Sequence, residues 1–138
     1  MKPEFLGSLD LRHLDEPIDG KWFTTLEVFS YCSKAGYWYA VPRWTLTDFA
    51  SIPKPMRAFV SRVGWHSMPS VLHDWLCEKK IVPRPEADRL YRESLEVKLR
   101  EFINMATGFK KLWRRKGWVK LKTLSFGVKS YTFITRKK

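Results

Sequence analysis

A histidine and an aspartate stand side by side, as His73-Asp74, in an apolar and helix-patterned stretch over residues 70–77. Imidazole is the side chain whose charge changes nearest to neutral pH, so such a pair is suited to proton transfer. A carboxylate that accepts a hydrogen bond from one ring nitrogen fixes the tautomer and leaves the other nitrogen as a base or a metal ligand. The chemistry of this stretch therefore depends on which carboxylate reaches His73.

Two predicted helices would bring such a carboxylate opposite the histidine. The spacing of apolar residues predicts helices over residues 68–80 and 85–100, joined by a short loop. In an antiparallel helix hairpin, residues equidistant from the loop face each other. Asp88 lies as far beyond the loop as His73 and Asp74 lie before it, so we expect Asp88 to face that pair.

Four residues thus make a candidate site where the sheet and the helices meet. We expect His73 and Asp88 to be its catalytic pair. Asp74 and Asp48, the latter in the loop before the helices, are expected to bind a hard divalent cation such as Ca²⁺ or Mg²⁺. The same residues also fit a structural role, because an acidic residue such as Asp88 in the first turn of a helix interacts favourably with the helix dipole.

The sequence pattern around this site predicts an α+β fold. A small antiparallel N-terminal sheet is followed by a helical half that contains an antiparallel helix hairpin. Residues 1–20 are predicted to form loops. Aromatic and β-branched residues predict strands over 21–32 and 37–41, which pair through a turn at 33–36. A third short strand is predicted over 44–47.

Prolines and capping residues divide the helical half. A short helix is predicted near 54–62, Ser67 is the predicted N-cap of the next helix, and a further helix is predicted over 102–116. We expect a single domain over residues 1–138, composed of 1–47 (mainly β), 48–118 (mainly helical) and 119–138 (a basic tail with the pattern of a strand).

The net charge of +12 is concentrated at one end of the chain. Residues 1–97 hold thirteen basic and thirteen acidic side chains, whereas residues 98–138 hold thirteen basic side chains and one acid, Glu101. Such asymmetry indicates a polyanionic partner: nucleic acid, an anionic membrane surface or an acidic protein. An ordinary core helix with a solvated basic face is the alternative. The residues expected to contact an anionic surface are Lys110, Lys111, Trp113, Arg114, Arg115, Lys116 and Trp118.

Several classes of protein are disfavoured by what the chain lacks. Its apolar runs are too short to cross a bilayer, and its N-terminus has no apolar centre of a secretory signal. We therefore expect a protein kept in a cytosol or carried inside a larger particle. The two cysteines, Cys32 and Cys77, are far apart and are expected to be free thiols. Glycine-rich phosphate loops are absent, so the only cofactor expected is the divalent cation.

A family resemblance rests on four segments: Thr47-Asp48-Phe49-Ala50-Ser51-Ile52-Pro53, Val71-Leu72-His73-Asp74-Trp75-Leu76, Arg84 and Ala87-Asp88. They resemble a family of small phage and prophage proteins catalogued as domain of unknown function 1353, over roughly residues 20–118. The resemblance implies a phage origin, other phage proteins as partners, and a location in the virion or the host cytoplasm. It brings no established activity.

A more local resemblance is to the secreted phospholipases A2, which carry a His-Asp pair on one helix and an aspartate on the antiparallel helix. By that resemblance His73 would be the general base for a water, Asp74 a calcium ligand, and Asp88 the residue that orients His73. The chain departs from the pattern because it lacks the flanking cysteines and the glycine-rich calcium loop. Asp48 would have to take part of the role of that loop.

Three functions are consistent with these features, and whether the chain is an enzyme stays open. The first is a phage-encoded protein with a His/Asp hydrolase-like, divalent-metal-binding site. The second is a non-catalytic virion component, such as a tail, baseplate or assembly protein, in which the His/Asp cluster holds the fold. The third is a basic accessory protein that binds nucleic acid.

Overall fold

The computed structural model of the chain describes residues 1–48 and 64–105. Within these residues six strands precede two helices, and the strands form two antiparallel three-stranded sheets, so the α+β class is confirmed. The elements are β1 (Glu4–Leu6), β2 (Leu11–Ile18), β3 (Lys21–Thr25), β4 (Phe29–Cys32), β5 (Trp38–Val41), β6 (Leu46–Thr47), α1 (Ser67–Glu78) and α2 (Arg84–Met105).

The first sheet has the strand order β1-β4-β5 and contains the hairpin turn predicted at residues 33–36. The Ser33 N–H donates to the Tyr37 carbonyl at 2.9 Å. Gly36 has a φ of 89°, in the left-handed region that glycine adopts without steric cost. One face of this hairpin is buried through Phe29, Tyr31 and Val41.

The second sheet has the order β2-β3-β6, and a two-residue turn joins its first two strands. Asp19 and Gly20, with φ angles of 51° and 76°, connect the paired residues Ile18 and Lys21. Positive φ at both positions is the requirement of a type I′ hairpin turn. The prediction of loops over residues 1–20 is therefore wrong. β2 is an edge strand with most of its side chains exposed, so it carries no alternating apolar signal.

The predicted single strand over residues 21–32 is two strands in different sheets. β3 ends at Thr25 and pairs with β2 and β6, whereas β4 begins at Phe29 and pairs with β1 and β5. The aromatic and β-branched composition is continuous through this region, but the chain leaves one sheet and enters the other. The expected small sheet is accordingly replaced by two.

The two helices form the predicted hairpin and supply most of the buried core. Val71, Leu72 and Leu76 of α1 and Leu90 of α2 are fully buried in one cluster with Phe29. Burial of each such side chain stabilises the fold by about 1.5–3 kcal/mol. The site therefore stands on two helices that are anchored to the first sheet. None of the helices in the described ranges is long and apolar enough to span a membrane.

Two helix boundaries differ from the predictions. Ser67 is the first residue of α1 and His66 is its N-cap; the Ser67 Oγ accepts a hydrogen bond from the Gly64 N–H at 2.9 Å. α2 runs without a break to Met105, so a separate helix beginning at Phe102 is wrong. No proline or glycine interrupts this stretch. The predicted helix near 54–62, the rest of 102–116 and the tail 119–138 lie outside the described residues.

Candidate functional site

His73 and Asp88 meet across the helix hairpin, as the sequence predicts. The Nε2 atom of His73 lies 2.7 Å from the Oδ1 atom of Asp88. The side chains are 3% and 9% exposed, so the contact is almost removed from water. The carboxylate thereby fixes which ring nitrogen faces α2.

The charge of this pair follows from its surroundings. Burial disfavours the charged ring and by itself lowers the pKa of His73. The hydrogen bonds to Asp88 and the Cys77 thiol outweigh burial, and the charge of Asp74 adds to them, so the pKa of His73 rises from 6.5 to about 9. At neutral pH the contact is therefore a buried imidazolium–carboxylate ion pair.

Tyr91 holds the histidine ring from the side of α2. The two rings are 4.8 Å apart between centroids and inclined by 37°. The Ser70 Oγ donates to the His66 carbonyl at 2.8 Å and lies 3.3 Å from the Tyr91 Oη, so the tyrosine hydroxyl is the donor in the latter contact. Burial, followed by the charge of Asp74, raises the pKa of Tyr91, which keeps this donor protonated.

Two further residues contact the pair, although neither is among the four predicted residues of the site. The Cys77 Sγ is 3.5 Å from the same Nε2 atom of His73. The Arg84 Nε is 3.7 Å from the Asp88 Oδ1. Each residue is four positions from its partner on the same helix, which is the signal that could have identified them.

Asp74 connects the helix hairpin to the second sheet. Its Oδ2 atom accepts a hydrogen bond from the Thr47 Oγ1 at 2.8 Å. Asp48 follows Thr47 directly and is partly buried at the end of β6. Residues 1–48 and 64–105 contain no group of three or more histidine, cysteine or acidic side chains that could hold a metal ion. A cation bound by Asp74 and Asp48 would therefore need its remaining ligands from other groups, such as water or backbone carbonyls. The metal role of these two residues stays a prediction.

A protein-family model described as "Protein of unknown function (DUF1353)" matches residues 23–110, which is more than half of the chain. The chain belongs to this family. The family resemblance drawn from the motifs is thus confirmed. Comparisons with curated proteins and with solved structures gave no match. The description of the DUF1353 family names no activity, so the phage origin and the phospholipase-like roles stay predictions.

All four residues of the candidate site lie inside the part of the chain that matches DUF1353. The catalytic roles of His73 and Asp88 and the metal roles of Asp74 and Asp48 remain untested. Of the segment 47–53, the structure describes only the first two residues. The residues predicted to contact an anionic surface lie outside the described residues: Lys110, Lys111, Trp113, Arg114, Arg115, Lys116 and Trp118.

Proposed function

We propose that this chain is a phage-encoded protein with a hydrolase-like site in which His73 is the general base and Asp88 orients it. The observation that carries the proposal is the 2.7 Å contact between the His73 Nε2 and the Asp88 Oδ1. A carboxylate on Nε2 makes Nδ1 the nitrogen through which a proton of water would be taken. Tyr91, whose tilted ring packs against the imidazole, limits its rotation and so keeps that assignment.

The raised pKa of His73 sets the pH dependence of such a base. Only the neutral ring can accept a proton, and with a pKa of about 9 about one molecule in a hundred is neutral at pH 7. We therefore expect hydrolysis to increase about tenfold per pH unit and to level off above the pKa.

Asp74 and Asp48 are the proposed ligands of Ca²⁺ or Mg²⁺. Two carboxylates with several waters are a common way to hold Mg²⁺, since this ion dehydrates reluctantly. A cation beside His73 would polarise a carbonyl or phosphoryl oxygen of the substrate. Isothermal titration with CaCl₂ and with MgCl₂ tests this part. Asp74→Asn should abolish the binding heat, and the absence of heat in the wild-type chain would remove the metal from the proposal.

The hydrolase proposal is tested with chromogenic carboxylic esters, phosphate esters and peptide anilides, between about pH 6 and pH 10. His73→Gln and Asp88→Asn should each lose the activity. Leu99→Ala, a buried position on α2 away from the pair, is the control for destabilisation and should retain activity at temperatures where it is folded. If no substrate class is hydrolysed, or if His73→Gln is as active as Leu99→Ala, the proposal fails.

A second function, a non-catalytic virion component, is favoured by the burial of the pair. His73 is 3% exposed and its ion pair with Asp88 joins the two helices, so the pair could serve to hold the hairpin together. In that case His73→Asn lowers stability by about 1–3 kcal/mol and changes no reaction. The chain would be found at fixed stoichiometry with other phage proteins in purified particles. If the chain is found only in the cytoplasm of infected cells and is absent from purified particles, this function is wrong.

The basic segment 98–138 supports a third function, a nucleic-acid-binding accessory protein, or attachment to an anionic membrane. Its thirteen basic residues against one acid provide the charge for either polyanion. Binding to a labelled DNA duplex or to phosphatidylserine vesicles should weaken steeply with salt. Binding that is indifferent to salt would remove this partner class.

A further inference from the structure

A groove on the second sheet is bordered by an exposed tryptophan in an unfavourable backbone conformation. Trp44, between β5 and β6, is 57% exposed and has a φ of 67°. Left-handed backbone is costly for any residue with a bulky side chain. Such strain persists where the surrounding structure enforces it, and it is concentrated at ligand-binding positions.

Two buried threonines enforce this conformation. The Trp44 N–H donates to the Thr25 carbonyl at 2.9 Å, and the Thr25 N–H donates to the Thr45 carbonyl at 3.0 Å. The Thr25 Oγ1 accepts a hydrogen bond from the Thr45 N–H at 2.9 Å. The Pro42 carbonyl accepts two hydrogen bonds, from the Thr25 Oγ1 at 3.0 Å and from the Thr45 Oγ1 at 2.6 Å. These hydrogen bonds hold the backbone at residue 44 in place, and the exposed indole ring projects from it beside the groove.

The groove that begins at Trp44 has a volume of about 420 Å³. Its floor comes from Thr24 and Leu46 of neighbouring strands, and its far side comes from β2. On that side His13 is held by stacking on Trp22, with ring centroids 5.8 Å apart. At the near side the Arg43 guanidinium lies over one face of the Trp44 ring, 4.6 Å from its centroid, so a ligand would pack on the opposite face. A ring contact within the chain thus supports each wall of the groove.

The charges around the groove indicate a ligand without net charge. The lining contains one arginine and one aspartate, Arg12 and Asp15, and the segments that contribute the lining residues, 11–25 and 42–46, carry three basic and three acidic side chains, so both sets have no net charge. A strip with no net charge does not attract a polyanion, in contrast to the basic segment 98–138. Arg12 and Asp15 in the groove supply hydrogen-bond donors and acceptors together. Indole rings supply flat apolar surface.

A sugar ring has the matching chemistry: an apolar face of C–H groups and a rim of hydroxyls that both donate and accept. We propose that this groove binds a neutral oligosaccharide, with one sugar ring packed on Trp44 and its hydroxyls bonded to Arg12 and Asp15. The site is separate from the His73–Asp88 pair. The proposal stands whether or not that pair is catalytic.

The test is an array of neutral glycans followed by isothermal titration with any glycan that is bound, using the full chain. Trp44→Asn removes the ring while asparagine tolerates the left-handed backbone, and it should weaken binding by about tenfold or more. Trp44→Phe keeps a ring and should restore most of the affinity. Trp38→Ala, an exposed tryptophan on β5 of the other sheet, is the control and should leave binding unchanged.

Three results would overturn the proposal. One is that no neutral glycan on the array binds the wild-type chain. Another is that Trp44→Asn binds as tightly as the wild type. The last is that Trp44→Asn instead abolishes binding of an oligothymidylate or of an unstructured peptide, which would assign the groove to a nucleic acid or a protein.

Discussion

Titration of His73 should weaken the fold as the pH rises. The pKa of the ring is about 9 in the folded chain against an ordinary value of 6.5. Because the folded value is the higher one, the imidazolium–carboxylate pair stabilises the protein fully below about pH 6.5. This contribution is lost as the pH rises through 9, when the folded chain also releases the proton. The difference between the two pKa values corresponds to about 3 kcal/mol of unfolding free energy.

The measurement is urea unfolding followed by tryptophan fluorescence at about pH 6 and about pH 10. Other groups titrate over the same range, so the reference is the double variant His73→Gln/Asp88→Asn, which keeps a hydrogen-bonded pair of similar size without charge. The stability of the wild type relative to this variant should fall by about 3 kcal/mol between the two pH values. Single replacement of His73 should be worse than the double change, because it leaves the Asp88 charge buried without its partner.

One outcome would refute this reasoning directly. If the wild type and the double variant differ by the same amount at both pH values, to within about 1 kcal/mol, the pair does not carry the charge assigned to it. A pKa of His73 measured by NMR at or below 6.5 would have the same meaning. It would also show that burial outweighs the hydrogen bonds, and it would remove the alkaline pH dependence expected of a hydrolase.

Further predictions concern backbone strain and one buried hydrogen bond. Trp44→Asn should raise the free energy of unfolding by about 1 kcal/mol, since asparagine tolerates positive φ, and a lower melting temperature would contradict this. Gly7→Ala and Gly20→Ala both place alanine at positive φ, but a Cβ on Gly7 lies 3.2 Å from a backbone oxygen and one on Gly20 meets nothing within 4 Å. Thermal melts should therefore show the larger loss for Gly7→Ala, about 2 against about 1 kcal/mol. Tyr31→Phe removes the 2.7 Å bond to Glu93 and should cost about 1 kcal/mol in urea unfolding; no loss would mean that Glu93 is satisfied without it.

The helix hairpin and the residues that face each other across it could be predicted from the sequence. The spacing of apolar residues locates α1 and α2, and the short loop between them makes the hairpin antiparallel. These two facts are enough to place Asp88 opposite His73. The strand β2 could not be predicted, because an exposed edge strand has no periodic apolar pattern. Nor could the division of residues 21–32 between two sheets be predicted, since both segments contain aromatic residues typical of strands.

The sequence by itself determined that His73, which is followed by Asp74, faces Asp88 across a helix hairpin. The apolar periodicity and the loop length that lead to this result are short-range properties of the chain. The tertiary structure alone decided how deeply that pair is buried, which partners share the His73 Nε2, and therefore its charge at neutral pH. It also decided that Trp44 is held in a left-handed conformation beside a groove. These properties depend on contacts between segments distant in the chain, such as Thr47 with Asp74 and Thr25 with Pro42, which no local pattern encodes.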